Sequence, residues 1–446
     1  MPDQQTIFAL SSGQGRAALA VIRVCGSRAA AVLDLMAAPR PKPRQAALRA
    51  IRDAETGELL DRALVLWFPG PATETGEDMV ELQVHGGRAV VQGVLAALGA
   101  LEGFRLAEPG EFARRAFENS KLDLTGVEGL ADLIEAETAA QRRQALRQAG
   151  GALFQLYEGW RQRLISATAL LEAAIDFSDE GDVAADTLRK ARAEVAALYE
   201  AIAAHLDDGH RGELLREGFH VVLAGPPNVG KSSLLNALAR RDVAIVSEEA
   251  GTTRDVIEVR LDLEGLPILV SDTAGIRRAE GKVEQEGIRR TFGRARAADL
   301  VLWLVDATAP QTDLPPEIAA SPERTLLVVN KMDLLDPKLL HALPGGAIGL
   351  SAATGFGLDV LARRLTAMAR ARMGEREAPA LTQARHRQAL ERCAAPLRSY
   401  LASPMQEVEL RAEDLRRAAL SLGRVTGAVD VEDVLDQVFS RFCIGK

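Results

Sequence analysis

The stretch Gly225-Pro-Pro-Asn-Val-Gly-Lys-Ser232 follows the apolar run Phe219–Ala224 and decides the fold of the middle of the chain. It matches the pattern Gly-x-x-x-x-Gly-Lys-Ser/Thr, in which backbone N–H groups of a loop and of the helix after it surround phosphate groups. We expect Lys231 to contact the β- and γ-phosphates and the Ser232 hydroxyl to bind Mg²⁺. The stretch therefore predicts a P-loop between a strand and a helix. Its predicted nucleotide contacts are Asn228, Val229, Gly230, Lys231, Ser232 and Ser233.

A second motif, Asn330-Lys-Met-Asp333, follows the apolar run Leu326–Val329 and predicts which base the site selects. The Asp333 carboxylate can accept hydrogen bonds from the ring N–H and the exocyclic amine of guanine. Adenine has neither donor there, so binding it would leave a desolvated carboxylate without a partner. The motif therefore predicts binding of GTP rather than ATP. The predicted base contacts are Asn330, Lys331, Asp333, Ser351 and Ala352.

Two further segments complete the predicted phosphate site. Asp272-Thr-Ala-Gly275 ends another apolar run, which places Asp272 to hold Mg²⁺ through water and the Gly275 N–H to meet the γ-phosphate. Gly251-Thr-Thr253 stands where a switch loop is expected, and we assign Thr253 to Mg²⁺. A β-turn with two exposed threonines is the alternative interpretation of this segment. The remaining predicted contacts of the Asp272 segment are Thr273 and Ala274.

These motifs do not identify what accelerates hydrolysis. Phosphoryl transfer needs positive charge between the β- and γ-phosphates and a group that orients water. The residue after Gly275 is Ile276, which cannot orient water. Three arginines are near the motifs: Arg254, Arg277 and Arg278. Each can be interpreted either as an arginine finger or only as electrostatic support for the phosphates.

The distribution of apolar and polar residues predicts a multidomain protein with α/β and α parts. Strand-like runs such as Ala18–Val24 and Met79–His85 predict an N-terminal α+β domain. Helical periodicity on both sides of the nucleotide motifs predicts a helical bundle, with a doubly wound P-loop GTPase domain inserted in it. The predicted bounds are 1–118 for the α+β domain, 119–215 and 372–446 for the two helical parts, and 216–371 for the GTPase domain.

Composition narrows the functional class. The chain has 446 residues and a net charge of −8, which argues against a broad, sequence-independent grip on nucleic acid. Its three cysteines, Cys25, Cys393 and Cys443, form neither a disulfide framework nor a zinc spacing and fit a reducing cytoplasm. We find no signal peptide in the sequence. No apolar run approaches the length of about 20 residues that is needed to span a bilayer. These features predict a cytoplasmic protein without membrane contact.

Taken together, the motifs resemble the bacterial and organellar tRNA-modification GTPase family called MnmE (TrmE). The domain order and the terminal tetrapeptide Cys443-Ile-Gly-Lys446 carry this resemblance, which covers essentially the whole chain. Supporting local matches are Gly76-Glu-Asp-Met-Val-Glu-Leu, His85-Gly-Gly, Pro109-Gly-Glu-Phe, Lys121-Leu-Asp-Leu and Ala250-Gly-Thr-Thr-Arg-Asp.

The resemblance implies a reaction, cofactors and partners. Members are homodimers joined through their N-terminal domains, and they act with a flavin- and NADH-dependent protein, MnmG (GidA), in a heterotetrameric or larger complex. Together they add an aminomethyl or carboxymethylaminomethyl group to carbon 5 of the wobble uridine of certain tRNAs. The one-carbon unit comes from 5-formyltetrahydrofolate or a related folate. The matching folate-binding positions are Arg23, Glu81, Lys121 and Lys446; without the resemblance, Arg23 and Glu81 are equally well interpreted as solvent-facing.

The resemblance also implies a K⁺ ion where an arginine finger would stand, and activation of hydrolysis when two GTPase domains meet. Asn228 matches the side-chain ligand of this ion, and backbone groups of Ser247, Glu249 and Thr252 match the loop that closes over it. Glu284 matches the acidic residue that orients water at one remove, and Lys231 is the other catalytic residue of the GTPase domain. A monovalent cation with oxygen ligands between phosphates is electrostatically sensible.

The resemblance makes Cys443 a modification-site residue, and its role as thiol nucleophile, proton donor or packing residue stays open. Gly445 and the terminal Lys446 fit a prenylation box badly.

Two other hypotheses share the phosphate and guanine motifs: a GTP-dependent binding switch that acts as a timer in RNA or ribosome maturation, and a GTPase whose flanking segments are only a dimerisation scaffold. The acidic net charge favours the partner as the main contact of tRNA.

Overall fold

The computed structural model describes residues 5–13, 15–176, 181–241, 243–245, 258–272, 296–309, 314–335, 346–374, 379–404, 408–429, 432–440, 442 and 444–445. Over these ranges the chain forms two compact units. The first contains the described residues of Met1–Ala131, Gln148–Glu172 and Ala412–Lys446, and the second those of Asp132–Arg147 and Ala173–Arg411.

The first unit is built on a mostly antiparallel sheet. Its strands are β1 (Thr6–Leu10), β2 (Leu19–Cys25), β3 (Ala47–Arg52), β4 (Leu59–Phe68), β5 (Met79–His85) and β6 (Phe104–Leu106). They lie in the order β3-β4-β5-β2-β1-β6, and only β1 and β6 run parallel. The strand predicted for Met79–His85 is confirmed, and its residues alternate between the two faces, with Val80, Leu82 and Val84 all buried on one of them.

Different elements cover the two faces of this sheet. Helices α1 (Ala29–Met36) and α2 (Arg88–Gly99) pack their apolar residues against the face that carries Val80 and Leu82. On the other face, helix α3 (Glu111–Glu118) places Phe112 in a small cluster with β-strand residues that include Cys25. This second face also carries Arg23 and Glu81, so it is the face on which the predicted folate contacts lie.

Helices follow this sheet along the chain. They are α4 (Leu124–Glu135), α5 (Ala139–Ala149), α6 (Ala152–Asp176), α7 (Gly181–Leu206) and α8 (Arg211–Glu217). Helix α6 shows the helical periodicity that the sequence predicts before the nucleotide motifs, since Tyr157, Leu164 and Leu171 are fully buried at spacings that return to one helix face.

The second unit contains the sheet that the P-loop motif predicts. Its strands are β7 (Phe219–Ala224), β8 (Ala244–Ile245), β9 (Glu258–Leu263), β10 (Leu266–Asp272), β11 (Leu300–Asp306), β12 (Thr325–Asn330) and β13 (Ile348–Gly349). Their order is β13-β12-β11-β7-β10-β9-β8. The five strands from β13 to β10 run parallel, whereas β9 is antiparallel to both of its neighbours.

Helices surround this parallel sheet and continue after it. They are α9 (Lys231–Ala239), α10 (Pro316–Ala319), α11 (Leu358–Met373), α12 (Ala384–Ala402), α13 (Val408–Thr426) and α14 (Glu432–Phe439). Leu234 of α9 and Leu361 of α11 are buried against the central strands. Within the described ranges, each helix is too short or too polar to cross a membrane.

Leu302 tests the contribution of the central strand β11 to stability. Its side chain is fully buried, so Leu302→Ala should lower the free energy of unfolding by about 2–5 kcal/mol through lost apolar burial and the cavity left behind. We expect GDP binding, followed as urea is raised, to be lost at a lower urea concentration. The matched control is Leu410→Ala in the same unit, because Leu410 is 64% exposed and its truncation should leave the midpoint unchanged. Equal midpoints for both variants would contradict the burial argument.

Candidate functional site

The parallel sheet gathers the predicted nucleotide residues at one edge. The loop Gly225–Gly230 follows β7, Asp272 ends β10, and Asn330 ends β12. Because parallel strands present their carboxyl ends at the same edge, segments that are far apart in sequence meet there. The structure therefore places the P-loop with Ser232, the magnesium residue Asp272 and the base-selecting segment around one site.

The P-loop has a backbone that depends on its glycines. Gly225 has φ +143°, and a Cβ atom there would lie 2.3 Å from the Leu304 carbonyl oxygen. Asn228 also has a left-handed backbone, with φ +63°. The Lys231 ammonium donates hydrogen bonds to the carbonyl oxygens of Gly225 and Pro226, both at 2.9 Å. The loop thus curls around a fixed positive charge, as binding of phosphates requires.

Two of the three residues predicted to hold magnesium, Ser232 and Asp272, are in direct contact. The Ser232 hydroxyl donates a hydrogen bond to Oδ2 of Asp272 at 2.7 Å, and Asp272 is buried at the end of β10. A hydroxyl and a carboxylate supply the hard oxygen ligands that Mg²⁺ prefers. The donor set therefore fits a magnesium ion held by Ser232, by Asp272 through water and by the phosphates of a bound nucleotide.

Asn330 holds the base-selecting loop to two others. Its side chain is only 2% exposed. Its amide nitrogen donates to the Val229 carbonyl oxygen at 2.8 Å, and its amide oxygen accepts the backbone N–H of Ala352 at 3.0 Å. The amide thereby joins the P-loop to the Ser351–Ala352 loop. Sequence reasoning predicted contacts with the base for this segment but not these two loop contacts.

Lys331 and Asp333 follow Asn330 in a tight turn. Lys331 has φ +66°, and the next residues form a short 3₁₀ turn, Met332–Leu334. The Lys331 ammonium pairs with Oδ2 of Asp306 at 2.6 Å, whereas the Asp333 side chain is exposed. Burial would raise the pKa of Asp306, but hydrogen bonds from Lys331 and Thr308 outweigh it and lower that pKa below its ordinary value.

Sequence reasoning missed Asp306. The signal that could have found it is a carboxylate at the end of the apolar run Leu300–Val305, at the same sheet edge as the other motifs.

Several predicted site residues lie outside the described residues. They are Ser247, Glu249, Thr252, Thr253, Thr273, Ala274, Gly275, Glu284, Cys443 and Lys446. The assignments of the switch loop, of the acidic residue that orients water and of the terminal cysteine therefore stay predictions.

In the first unit, two of the positions matched to folate contacts are paired. Arg23 and Glu81 face each other on β2 and β5, and the Arg23 Nε donates to Oε1 of Glu81 at 3.0 Å. A second carboxylate, Glu74, lies 2.9 Å from the same guanidinium group. Lys121 is exposed, and its Cε atom lies 3.2 Å from where a Cβ of Gly76 would be. Arg23 and Glu81 are half-buried and bonded to each other rather than freely solvated.

The chain's last described residues lie against the same sheet. Ile444 forms a β-bridge with Pro109. Gly445 has φ +102°, and a Cβ atom there would lie 2.2 Å from the Leu10 carbonyl oxygen. Ala9, the residue before Leu10, is the register partner of Arg23. The segment that carries the terminal motif is therefore held at the end of β1, one residue from the strand position that pairs with Arg23.

The two cysteines within the described ranges are poor nucleophiles. Burial raises the pKa of both thiols to about 12. Cys393 lies in the interior of α12, as expected for a small apolar residue, whereas the Cys25 sulfur also contacts the Thr75 hydroxyl at 3.1 Å and the Glu77 carboxylate at 3.2 Å. Both thiols stay protonated at neutral pH, so neither is suited to covalent chemistry.

The site defines a P-loop GTPase. It combines a phosphate loop and its lysine with a carboxylate beside the loop serine, and an Asn-Lys-Met-Asp segment lies at the same edge of the parallel sheet. Two family models match the chain, "GTP-binding protein TrmE N-terminus" over residues 6–121 and "MnmE helical domain" over residues 124–443. The chain belongs to the tRNA modification GTPase MnmE family, and it is a GTP-hydrolysing enzyme.

Relatives named tRNA modification GTPase MnmE are similar to this chain over its full length. The protein of Parvibaculum lavamentivorans is 54% identical, covering 99% of this chain and 100% of the relative. Those of Rhodospirillum rubrum and Rhodopseudomonas palustris are both 52% identical, covering at least 99% of each chain. Among solved structures, the G domain of the T. maritima FeoB iron transporter is 28% identical over 34% of this chain and 98% of its own length. Its TM-score of 0.26 is too low to support an argument about the fold.

Gly230 tests how closely the P-loop approaches Asn330. A Cβ atom at Gly230 would lie 2.3 Å from the Asn330 amide nitrogen and would break its bond to the loop. Gly230→Ala should therefore weaken GDP binding by about tenfold to a hundredfold, measured by fluorescence titration. The matched control is Gly57→Ala, because Gly57 also has positive φ but a Cβ atom there would have no neighbour within 4 Å. Unchanged affinity in Gly230→Ala would contradict the contact.

Proposed function

We propose that this enzyme couples GTP hydrolysis to modification of the wobble uridine of tRNA. With a flavin-dependent partner of the MnmG (GidA) kind, it adds an aminomethyl or carboxymethylaminomethyl group at carbon 5 of that base. The observation that carries this proposal is the similarity to tRNA modification GTPases over at least 99% of both chains, which includes the flanking domains as well as the GTPase domain.

The domain organisation we propose follows the same family. Residues 1–118 form the N-terminal α+β domain, residues 119–215 and 372–446 form one helical domain, and residues 216–371 form the GTPase domain inserted in it. Helices α7 and α12 support this division: they lie on either side of the parallel sheet in sequence, and the Arg398 Nε donates to the Tyr199 hydroxyl across their contact at 3.0 Å.

In GTP hydrolysis, water attacks the γ-phosphorus, the bond to the β–γ bridging oxygen breaks, and GDP and phosphate leave. Lys231 faces the negative charge that builds up on the phosphates, and Ser232 and Asp272 supply oxygen ligands for magnesium. Magnesium, when bound, neutralises charge on the β- and γ-oxygens. Glu284 orients the attacking water at one remove, as its match to the family proposes. Thr253, in the expected switch loop, binds the magnesium ion in this proposal.

A potassium ion completes the positive charge in this proposal. Asn228 lies in the P-loop, where its backbone is left-handed with φ +63°, and its side-chain amide offers an oxygen ligand in this proposal. Backbone groups of Ser247, Glu249 and Thr252 supply further oxygen ligands in the proposal. A potassium ion bound there would supply positive charge to the phosphates, the role that an arginine finger has in other GTPases.

The N-terminal domain binds the one-carbon folate in this proposal, as 5-formyltetrahydrofolate or a related form. A pterin ring offers a ring N–H beside an exocyclic amine, and the Glu81 carboxylate can accept from both. Arg23 holds that carboxylate in place at 3.0 Å. Lys121 and Lys446 supply positive charge for the acidic tail of the folate. The docking of Gly445 near the Arg23 strand position supports an arrangement in which Cys443 and Lys446 take part.

Homodimer formation through the N-terminal domains is part of the proposal. Leu48 and Leu64 are exposed neighbours on β3 and β4, and Leu19 is exposed on β2 of the same sheet. Exposed apolar side chains on one sheet favour burial against another protein surface. A second copy of this domain is the partner that the family proposes.

The decisive experiment is nucleoside analysis of tRNA from a strain that lacks this chain. We expect the wobble-uridine modification to be absent and to return with the wild-type chain. Cys443→Ala should fail to restore it while GTP turnover in vitro is retained. Cys393→Ala is the matched control, since its buried thiol has no role in the proposal. Normal modification in the deleted strain would favour the hypothesis of a GTP timer in RNA or ribosome maturation.

Potassium dependence is tested by exchanging the monovalent salt. GTP turnover should rise about tenfold or more when Na⁺ is replaced by K⁺, because one stabilising group at the transition state is worth at least that much. Asn228→Gly, which keeps the left-handed backbone, should abolish the increase while Mg²⁺ is still required. Equal rates of the wild type in both salts would remove the ion from the mechanism without affecting the tRNA proposal.

A further inference from the structure

Asp306 forms a set of contacts at the end of β11 that the hydrolysis mechanism does not use. Its Oδ2 accepts the Lys331 ammonium at 2.6 Å. Its Oδ1 accepts the backbone N–H of Thr308 at 2.9 Å and the Thr308 hydroxyl at 2.7 Å. Both carboxylate oxygens are therefore occupied, and the side chain is half-buried and fixed in direction.

The residue that Asp306 holds has an unfavourable backbone. Lys331 has φ +66° and ψ +33°, a left-handed backbone conformation that residues other than glycine rarely adopt. Such a conformation persists only where neighbouring contacts enforce it. Lys331 stands at the start of the 3₁₀ turn Met332–Leu334, so its backbone direction sets the direction of Asp333.

The other residues of the turn have separate anchors. Asn330 is bonded to Val229 and Ala352, and the Met332 side chain is buried among apolar residues while its N–H donates to the Leu350 carbonyl oxygen at 3.1 Å. Between these two anchored residues, Asp306 is the side chain that holds Lys331.

We propose that Asp306 is a positioning residue for guanine recognition: by holding Lys331 it fixes the turn that directs the Asp333 carboxylate at the base. The main-chain pairing of the two strands supports this link. Asp306 is the register partner of Asn330, and the N–H of Ala307 donates to the Asn330 carbonyl oxygen at 2.9 Å. The ends of β11 and β12 are therefore joined through their main chains.

The consequence is specific to guanine. A well-directed Asp333 carboxylate accepts from both the ring N–H and the exocyclic amine, whereas hypoxanthine has only the ring N–H. A protein in which the carboxylate is misdirected should lose most of its higher affinity for the guanine nucleotide over the hypoxanthine nucleotide. A protein that is only destabilised should lose affinity for both bases equally.

The experiment measures affinities for GDP and for inosine diphosphate by titration. Asp306→Asn should weaken GDP binding by about tenfold and inosine diphosphate binding by much less, because the charged pair with Lys331 is lost. Lys331→Met, which removes the same pair from the other side, should narrow the ratio of the two affinities in the same way. The double variant should bind GDP no more weakly than the weaker-binding single variant, because both changes remove the same interaction.

Asp299→Asn is the matched control. Asp299 lies just before the start of β11, and its carboxylate accepts the His220 N–H at 3.0 Å, so it makes a similar capping contact at the far end of the same strand. This variant should keep the wild-type affinity ratio. Equal losses for both nucleotides in Asp306→Asn, losses that add in the double variant, or a wild-type GDP affinity in Asp306→Asn would each overturn the proposal. Thermal melting followed by circular dichroism checks that each variant is folded.

Discussion

The buried amide of Asn330 is the contact on which the nucleotide site depends. One side chain donates to Val229, which is 101 residues away in the sequence, and accepts from Ala352. An amide is suited to this because it offers donors and an acceptor on the same planar group. Removing it would leave the buried carbonyl of Val229 and the half-buried N–H of Ala352 without this partner, and an unpaired buried polar group is costly. The phosphate loop and the base-selecting loops therefore keep a fixed distance from each other.

Much of the fold could be predicted because its signals are local. The apolar runs that became β7, β10, β11 and β12 and the alternation in β5 are properties of consecutive residues. The P-loop motif likewise encodes its own backbone, since Gly225 must pass close to Leu304 and no larger residue fits. Parallel pairing then follows from the alternation of strands and helices.

The contacts that direct the site could not be predicted in the same way. The partners of Asn330, the pairing of Asp306 with Lys331 and the docking of Gly445 beside Leu10 join residues whose separation leaves no periodic pattern. The pair Arg23–Glu81 is an intermediate case. The residues alone allow a solvent-facing role for both side chains equally well, and only the resemblance to a family singles them out. The register of β2 and β5 explains how the two side chains meet.

The protonated state of the two interior thiols has a practical consequence for chemical labelling. Alkylating reagents react with thiolates, and burial that raises the pKa of Cys25 and Cys393 to about 12 also shields them from reagent. Since the chain has three cysteines, rapid modification of the native protein by a maleimide would report on Cys443 alone. A fluorophore or spin label could then be introduced at that position without first replacing the other two.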